Sequence, residues 1–442
     1  MRGFFLHYIC LKLVMEINLK KAYFISLVFS FILPRLDRVD VAIVDYMSLT
    51  VSAILGICIL IYFNSSNENI KKFSYINFPL FSFFGFFTIA LISMFFAINS
   101  TESLVSIFKI STILIHVYLI YSLNIYKAFS LNNLLFIISI MLFIEVFASL
   151  YPLFSEILPV KKFEFADSNY MKGFTGNKNI TAASICLKIP FLIMLINRSK
   201  KLFIRILLIV VLTLSVLNLF FLSSRAVFLS LLIIFSFYLL QKLTHEVKKI
   251  GLLKSMKRYM YILFVFLVSY YVFDKNSKGE DRSKIQNRVL SINSSDESTS
   301  QRLRYYKQAI KYSFQNPIMG VGIGNWRIKS IDIDKDNIYS YIIPYNTHND
   351  FLEVLAETNL AGFIFYLLIF ISIFMILFKG YLNAKDLNLR DSISLCTLAL
   401  IVYFVDANLN FPMYRPIMQI NLLIIITISI FLYQNSLTDE NK

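Results

Sequence analysis

The sequence predicts an all-α, polytopic integral membrane protein of about twelve transmembrane helices, with one large outward-facing loop carrying short helices. Three observations predict it. Hydrophobic residues make up 57% of the 442 residues and charged residues 16%, whereas soluble domains run to about 25% charged. Apolar runs long enough to cross about 30 Å of hydrocarbon recur along most of the chain. Finally, 44 Phe and 26 Tyr stand against 12 Gly and 9 Pro, so the helices have few breaks. A soluble globule of this size could not hide so much apolar side chain.

Taken in order, residues 1–21 carry Arg2, Lys12, Lys20 and Lys21 ahead of the run Ala22 to Leu33. This resembles the charged and apolar regions of a signal peptide, but no small-residue cleavage site follows. It reads as an uncleaved first span with a cytoplasmic N-terminus; Met15 would serve equally well as a start. Spans are expected at roughly 22–34, 46–63, 78–97, 104–124, 133–152 and 180–197. Six more are expected at roughly 205–222, 226–241, 257–273, 351–378, 392–411 and 416–433. The resulting organisation is 1–273 for about nine N-terminal helices, 274–350 for the large loop, 351–433 for about three C-terminal helices and 434–442 for a cytoplasmic tail.

The net charge of +16 does not call for nucleic acid, because cytoplasmic loops of membrane proteins collect Lys and Arg. The loops this threading places inside hold Lys71, Lys72, Lys127, Arg198, Lys200, Lys201 and Arg205. They also hold the cluster from Lys242 to Arg258 and then Lys379, Lys385 and Arg390. The short outside connections hold only Arg35, Arg38, Arg225 and Arg415. Both termini are therefore expected in the cytoplasm. The four cysteines, Cys10, Cys58, Cys186 and Cys396, form neither a zinc spacing nor a disulfide framework.

Two outward connections hold the candidate chemistry. The first, roughly 153–179, ends in Gly173-Phe174-Thr175-Gly176-Asn177-Lys178-Asn179. The second, roughly 274–350, opens with a Ser/Asn/Asp-rich stretch, Lys275 to Ser298, that reads as flexible. A helical pattern then begins near Thr299, with Leu303, Tyr306, Ile310 and Phe314 on one face, and stops at Asn316-Pro317. Gly320, Gly322 and Gly324 follow without the strand that a nucleotide-binding glycine loop needs. They read as a tight turn packing the loop onto the membrane domain. His348 sits where the loop enters a helix, and an imidazole exchanges protons near neutral pH. The competing reading is that Thr347, Asn349 or Asp350 simply caps that helix. Arg225 ends a hairpin with almost no loop, a depth at which a guanidinium needs an anion or water; snorkelling is its plain alternative. Arg302 and Arg304 begin the loop helix, and either a solvated face or an anion clamp shared with Arg225 accounts for them. Glu145, Lys188 and Asp406 are ionisable groups within spans.

These separate elements together resemble the O-antigen ligase/polymerase superfamily of bacterial envelope proteins. The resemblance rests on Arg225, on Thr299-Ser300-Gln301-Arg302 followed by Tyr306, and on Asn316 to Asn325. It rests also on Thr347-His348-Asn349-Asp350-Phe351-Leu352-Glu353 with Glu357 and Gly362, and on Asn410-Phe411-Pro412. Gly176-Asn177-Lys178-Asn179 resembles a Gly-Asn-Pro-Asn element with Lys178 in place of Pro, and Asn359 stands where the family has Gly. Asn tolerates left-handed helical geometry better than most residues.

The resemblance implies a multi-pass glycosyltransferase of the inner membrane, using an undecaprenyl-diphosphate-linked glycan at its periplasmic face without metal, nucleotide or other cofactor. The acceptor would be lipid A-core for a ligase or a glycan for a polymerase, and membrane lipids would surround the chain. It implies that His348 is catalytic and that Arg225 and Arg302 bind the diphosphate. Asp350 or Glu353 would orient the imidazole, with Asn177, Asn179 and Arg304 in support. Within the family, polysaccharide polymerases and protein O-oligosaccharyltransferases carry the same pieces. From another class, a proton-coupled transporter or flippase would use Glu145, Lys188 and Asp406, although no pair of broken helices supports a transport site.

Overall fold

Most of the polypeptide folds into α-helices, because in hydrocarbon only a helix or a closed barrel satisfies its own backbone. The computed structural model describes residues 2–32, 41–63, 75–250, 252–278, 297–316, 318–338 and 345–440. Most of the Ser/Asn/Asp-rich stretch from Lys275 to Ser298, together with Arg35, Arg38, Lys71 and Lys72, lies outside the described residues.

The helices are α1 (Arg2–Val28), α2 (Val41–Phe63), α3 (Phe78–Ser93), α4 (Ser100–Ser122), α5 (Ile125–Ala128) and α6 (Leu131–Pro152). Next come α7 (Lys178–Arg198), α8 (Leu202–Leu222), α9 (Arg225–Ile250) and α10 (Leu252–Asn276). The remainder are α11 (Glu297–Gln315), α12 (Trp326–Asp334), α13 (Asp350–Asn383), α14 (Leu387–Leu409) and α15 (Pro416–Glu440). Among the described residues, nine helices are long and apolar enough to cross a membrane. The other three expected spans fall on α1, α9 and α10, and Arg225–Gln241 of α9 is a shorter apolar helix. Three helices open on asparagine caps, whose side-chain oxygens accept from orphan N–H groups. Asn99 accepts from Thr101 N at 2.9 Å, Asn177 from Asn179 N at 2.9 Å and Asn349 from Leu352 N at 3.1 Å.

The chain divides into two compact units. The first comprises residues 1–134, 302–390 and 410–442, the second 135–301 and 391–409. In the first unit α13 packs chiefly against α3 and α15. A small core of Ala309, Val321, Trp326 and Ala356, edged by Tyr312, Ile333 and Leu352, joins α11 and α12 to the start of α13. The face of α11 that turns inward carries Tyr305, Ala309 and Ser313. Leu303, Ile310 and Phe314, which share a face in the sequence, are exposed.

Helix α13 breaks at Asn359, where φ is 57° and ψ is −164°. That is not left-handed helical geometry but the extended, positive-φ region that glycine almost alone adopts, at a cost of about 1–3 kcal/mol. The Asn359 amide offsets part of this by donating to the Asn316 carbonyl and accepting from Leu360 N. An unbroken helix would bond the Ala356 and Glu357 carbonyls to N–H groups one turn on. Here they accept instead from Val321 N and Gly322 N, both at 3.0 Å. The glycines permit that approach: a Cβ on Gly320 would lie 2.4 Å from the Ala356 oxygen. Gly322 and Gly324 have φ of 91° and 78°. Ser93 Oγ accepts from Ile323 N, Ser103 Oγ donates to the Ile323 carbonyl, and Glu357 accepts from Trp326 N. The glycine stretch thus closes α11 and α12 onto α3, α4 and α13.

In the second unit α7 is buried from Ile180 to Ile196 and packs against α8 and α9. The connection at 153–179 is structured. Phe163 N donates to the Asn276 carbonyl at 2.9 Å and Lys278 N to the Phe163 carbonyl at 3.0 Å, with Lys278 paired to Glu164. Inside the helices, Lys188 Nζ lies 2.8 Å from Glu145 Oε1, and the two side chains are 0% and 3% exposed. Ser184 Oγ donates to Glu145 Oε2 at 2.8 Å and accepts from Lys188 Nζ at 2.7 Å. Removing one partner of such a pair strands a buried charge, so Lys188→Met is expected to cost about 3–5 kcal/mol. Thermal unfolding in detergent measures this, and the double variant Glu145→Leu/Lys188→Met should recover most of the loss.

Candidate active site

The site grows from the turn that precedes α13. Thr347 N donates to Glu353 Oε2 at 2.8 Å, and Asn349 N donates to Thr347 Oγ1 at 3.1 Å. With Asn349 capping the helix, these bonds clamp the residues on both sides of His348, whose φ is 58°. The Tyr306 hydroxyl donates to the His348 carbonyl at 3.1 Å. The imidazole packs edge-on against Phe411, with centroids 5.3 Å apart. Its Nδ1 is buried and has no hydrogen-bond partner.

His116 shows what a structural histidine looks like in the same unit. Its Nε2 faces the Leu49 carbonyl at 3.0 Å and must carry the proton, so Nδ1 accepts from the Tyr23 hydroxyl at 2.8 Å. Both nitrogens are used. His348 is the opposite case. Burial first, and then the positive charge of Arg302, together lower its pKa to about 4. At neutral pH the ring is uncharged and holds a free lone pair. The side chains of His7 and His245 lie outside the described residues.

Arg302, half-buried on α11 one turn before Tyr306, therefore acts electrostatically on both Tyr306 and His348. A further guanidinium belongs here that the sequence reading used only for topology. Arg415 stacks over Phe411 at 4.8 Å, on the ring that His348 also touches. Phe411 is fixed by the Asn410-Phe411-Pro412 turn between α14 and α15. Tyr306 was already part of the sequence resemblance, and Arg415 carried a signal as well, being one of the few arginines expected on an outside connection.

The expected helpers hold the scaffold. Asp350 Oδ2 accepts from the Tyr366 hydroxyl at 3.0 Å and from Met413 N at 2.9 Å. Glu353 is held by Thr347, so Nδ1 of His348 receives neither carboxylate. Glu357, which sequence reasoning left without a role, accepts from Trp326 N at 3.0 Å and from the Tyr414 hydroxyl at 2.9 Å. Arg304 pairs with Asp334 at 2.9 Å, and Gln308 donates to the same carboxylate at 2.7 Å. That cluster ties α11 to α12. On the far face of α11 from Arg302 a cleft of about 780 Å³ opens, lined by residues that include Gln308, Lys311, Tyr312 and Gln315.

Within the second unit, Arg225 is the first residue of α9, half-buried, after a turn in which Ser223 is left-handed. Ser223 N donates to the Leu219 and Phe220 carbonyls, both at 3.2 Å, which ends α8 and aims Arg225 from a helix N-terminus. Asn177 serves as the cap of α7, and Asn179 supplies the N–H it accepts. Lys178 donates to Ser168 Oγ at 2.6 Å and lies 4.0 Å over the Phe165 ring, so it packs where the family has Pro. Among the described residues, no group of three or more His, Cys, Asp or Glu gathers in a way that could hold a metal ion.

No curated protein matches the chain. A family model does: residues 208–367 match the one described as O-antigen ligase, a segment that holds Arg225, Arg302, the glycine stretch and His348. That match, together with the multi-pass helical architecture, supports the O-antigen ligase/polymerase superfamily resemblance.

Proposed function

We propose that the protein is an O-antigen ligase of the bacterial inner membrane, with both termini cytoplasmic and its site facing the periplasm. It would move a glycan from undecaprenyl diphosphate to a hydroxyl of lipid A-core. The observation that carries this reading is His348: a neutral imidazole with an unused Nδ1, held in a rigid turn within the field of Arg302. In the step proposed, His348 takes the proton of the acceptor hydroxyl while that oxygen bonds to the anomeric carbon. The bond from that carbon to the diphosphate breaks, and the electron pair leaves on the diphosphate. Attack opposite the leaving group inverts the anomeric configuration. Arg302, and Arg225 at its helix N-terminus, would stabilise the charge that builds on the diphosphate.

A base with a pKa near 4 is weak for this task. Donor binding corrects it. A diphosphate neutralises Arg302, removing one of the two causes that hold the imidazole down, and the base strengthens only in the loaded enzyme.

His348→Ala in the purified protein is expected to abolish transfer from a lipid-diphosphate glycan to lipid A-core, followed by product gel or mass spectrometry. Transfer that survives would remove His348 from the chemistry. The pH profile is a second check, because a depressed histidine keeps its basic form down to its own pKa. For kcat/KM, which reports the free enzyme, the acid limb should fall near 4 instead of near 6.5. Arg302→Ala should move that limb upward. Arg225→Ala should raise the KM for donor while the protein stays folded, and an unchanged KM would remove Arg225 from the diphosphate site.

A further inference from the structure

Among the described residues, helix α11 presents an apolar face that is left exposed. Leu303, Ile310 and Phe314, at i, i+7 and i+11, form one stripe; all three are exposed, Phe314 by 82%. The stripe does not stand alone. Ile318, just beyond the helix, is 84% exposed. At that same end the Asn316 carbonyl is bonded by the Asn359 amide, next to exposed Leu360, where α13 resumes its apolar course. Ile98, which lines the cleft with Gln315 and Asn316, brings in exposed Phe95 and Phe96, the last residues of the span Phe78–Phe96. Phe95 is 86% exposed. Exposed apolar side chains thus lie where the end of α11 meets α13, and at the end of the span Phe78–Phe96 near the cleft.

Along one edge of the stripe run Lys307 and Lys311, both exposed. Apolar side chains flanked by lysines, on a helix that meets a membrane span at its end, match the requirements of an interfacial helix. Its apolar face enters the acyl boundary and its cations reach the headgroup phosphates.

We infer that α11 lies in the surface of the bilayer, with Leu303, Ile310 and Phe314 buried among lipid chains and Lys307 and Lys311 on lipid phosphates. The occupant of this face is lipid, not a second protein. The consequence for the site follows from the helix itself. Arg302 and Tyr306 sit beside the stripe on the same rigid α11, so the bilayer fixes the depth at which they and His348 work. The inference does not depend on which reaction is catalysed.

The test uses Trp326, the single tryptophan, as a constant background, because it is wholly buried. Phe314→Trp and Ile310→Trp each add one indole on the stripe, and Gln315→Trp adds one on the cleft face. In nanodiscs containing brominated phosphatidylcholine, the stripe variants should gain blue-shifted emission that bromolipid quenches severalfold more than that of Gln315→Trp. Acrylamide in the water should quench in the reverse order. Stripe indoles that emit and quench like Gln315→Trp would overturn the inference. Both readouts need only folded protein, so they are independent of any loss of transferase activity.

Discussion

At Asn359 the backbone leaves the helix, and the carbonyls of Ala356 and Glu357 lose the donors an unbroken α13 would have given them. In or near hydrocarbon an unsatisfied carbonyl is costly, so donors must come from elsewhere. They come from Val321 and Gly322, which can reach only because Gly320 carries no side chain. This pair of bonds locates the rest of the first unit. It seats Trp326 in its core, brings the end of α11 against Asn359, and separates α13 into a short leading piece and a long apolar one. The short piece, 350–358, carries Asp350, Glu353 and Glu357; the long one is sufficient to cross a bilayer by itself.

Asp350 and Glu353 on that short piece look, in a sequence, like partners for His348. They and Glu357 instead bind backbone N–H groups: Asp350 that of Met413, Glu353 that of Thr347 and Glu357 that of Trp326. Three acids thereby hold three separate segments against one helix end. Their effect on His348 is indirect. The Glu353 bond helps fix its backbone while its Nδ1 is left without a partner, and burial, aided by a neighbouring guanidinium, keeps the ring neutral. Such a ring is poised to receive a proton only when negative charge arrives.

Several parts of this were legible in the sequence because they depend on composition or on local spacing. The apolar runs, the helix from near Thr299 to Asn316 and the cap before α13 all follow from periodicity and from the residue types that stop a helix. The match at 208–367 agrees with the resemblance read from Arg225, Arg302 and His348. What was not legible depends on contacts between distant segments. Nothing local marks Arg304 as the partner of Asp334, or Arg415 as a neighbour of the ring that His348 touches. Nor does periodicity say which face of α11 turns inward. Leu303, Ile310 and Phe314 form the more apolar stripe, yet the smaller face of Tyr305, Ala309 and Ser313 is the one that packs, because in a membrane protein an apolar face has two places to go.

The same ambiguity bears on the buried ions. A transporter needs charged groups that can exchange partners, with polar surroundings to exchange into. Lys188 has neither: Glu145 and Ser184 take its ammonium group on a helix buried along most of its length. The pair therefore behaves as an internal strut of the second unit. His348 is arranged the other way, with its backbone over-determined and its reactive nitrogen unspent. Fully satisfied polar groups resist change, and a partly unsatisfied one invites a ligand. By that measure, the imidazole at the entrance of α13 is a place where this chain is prepared to meet a ligand.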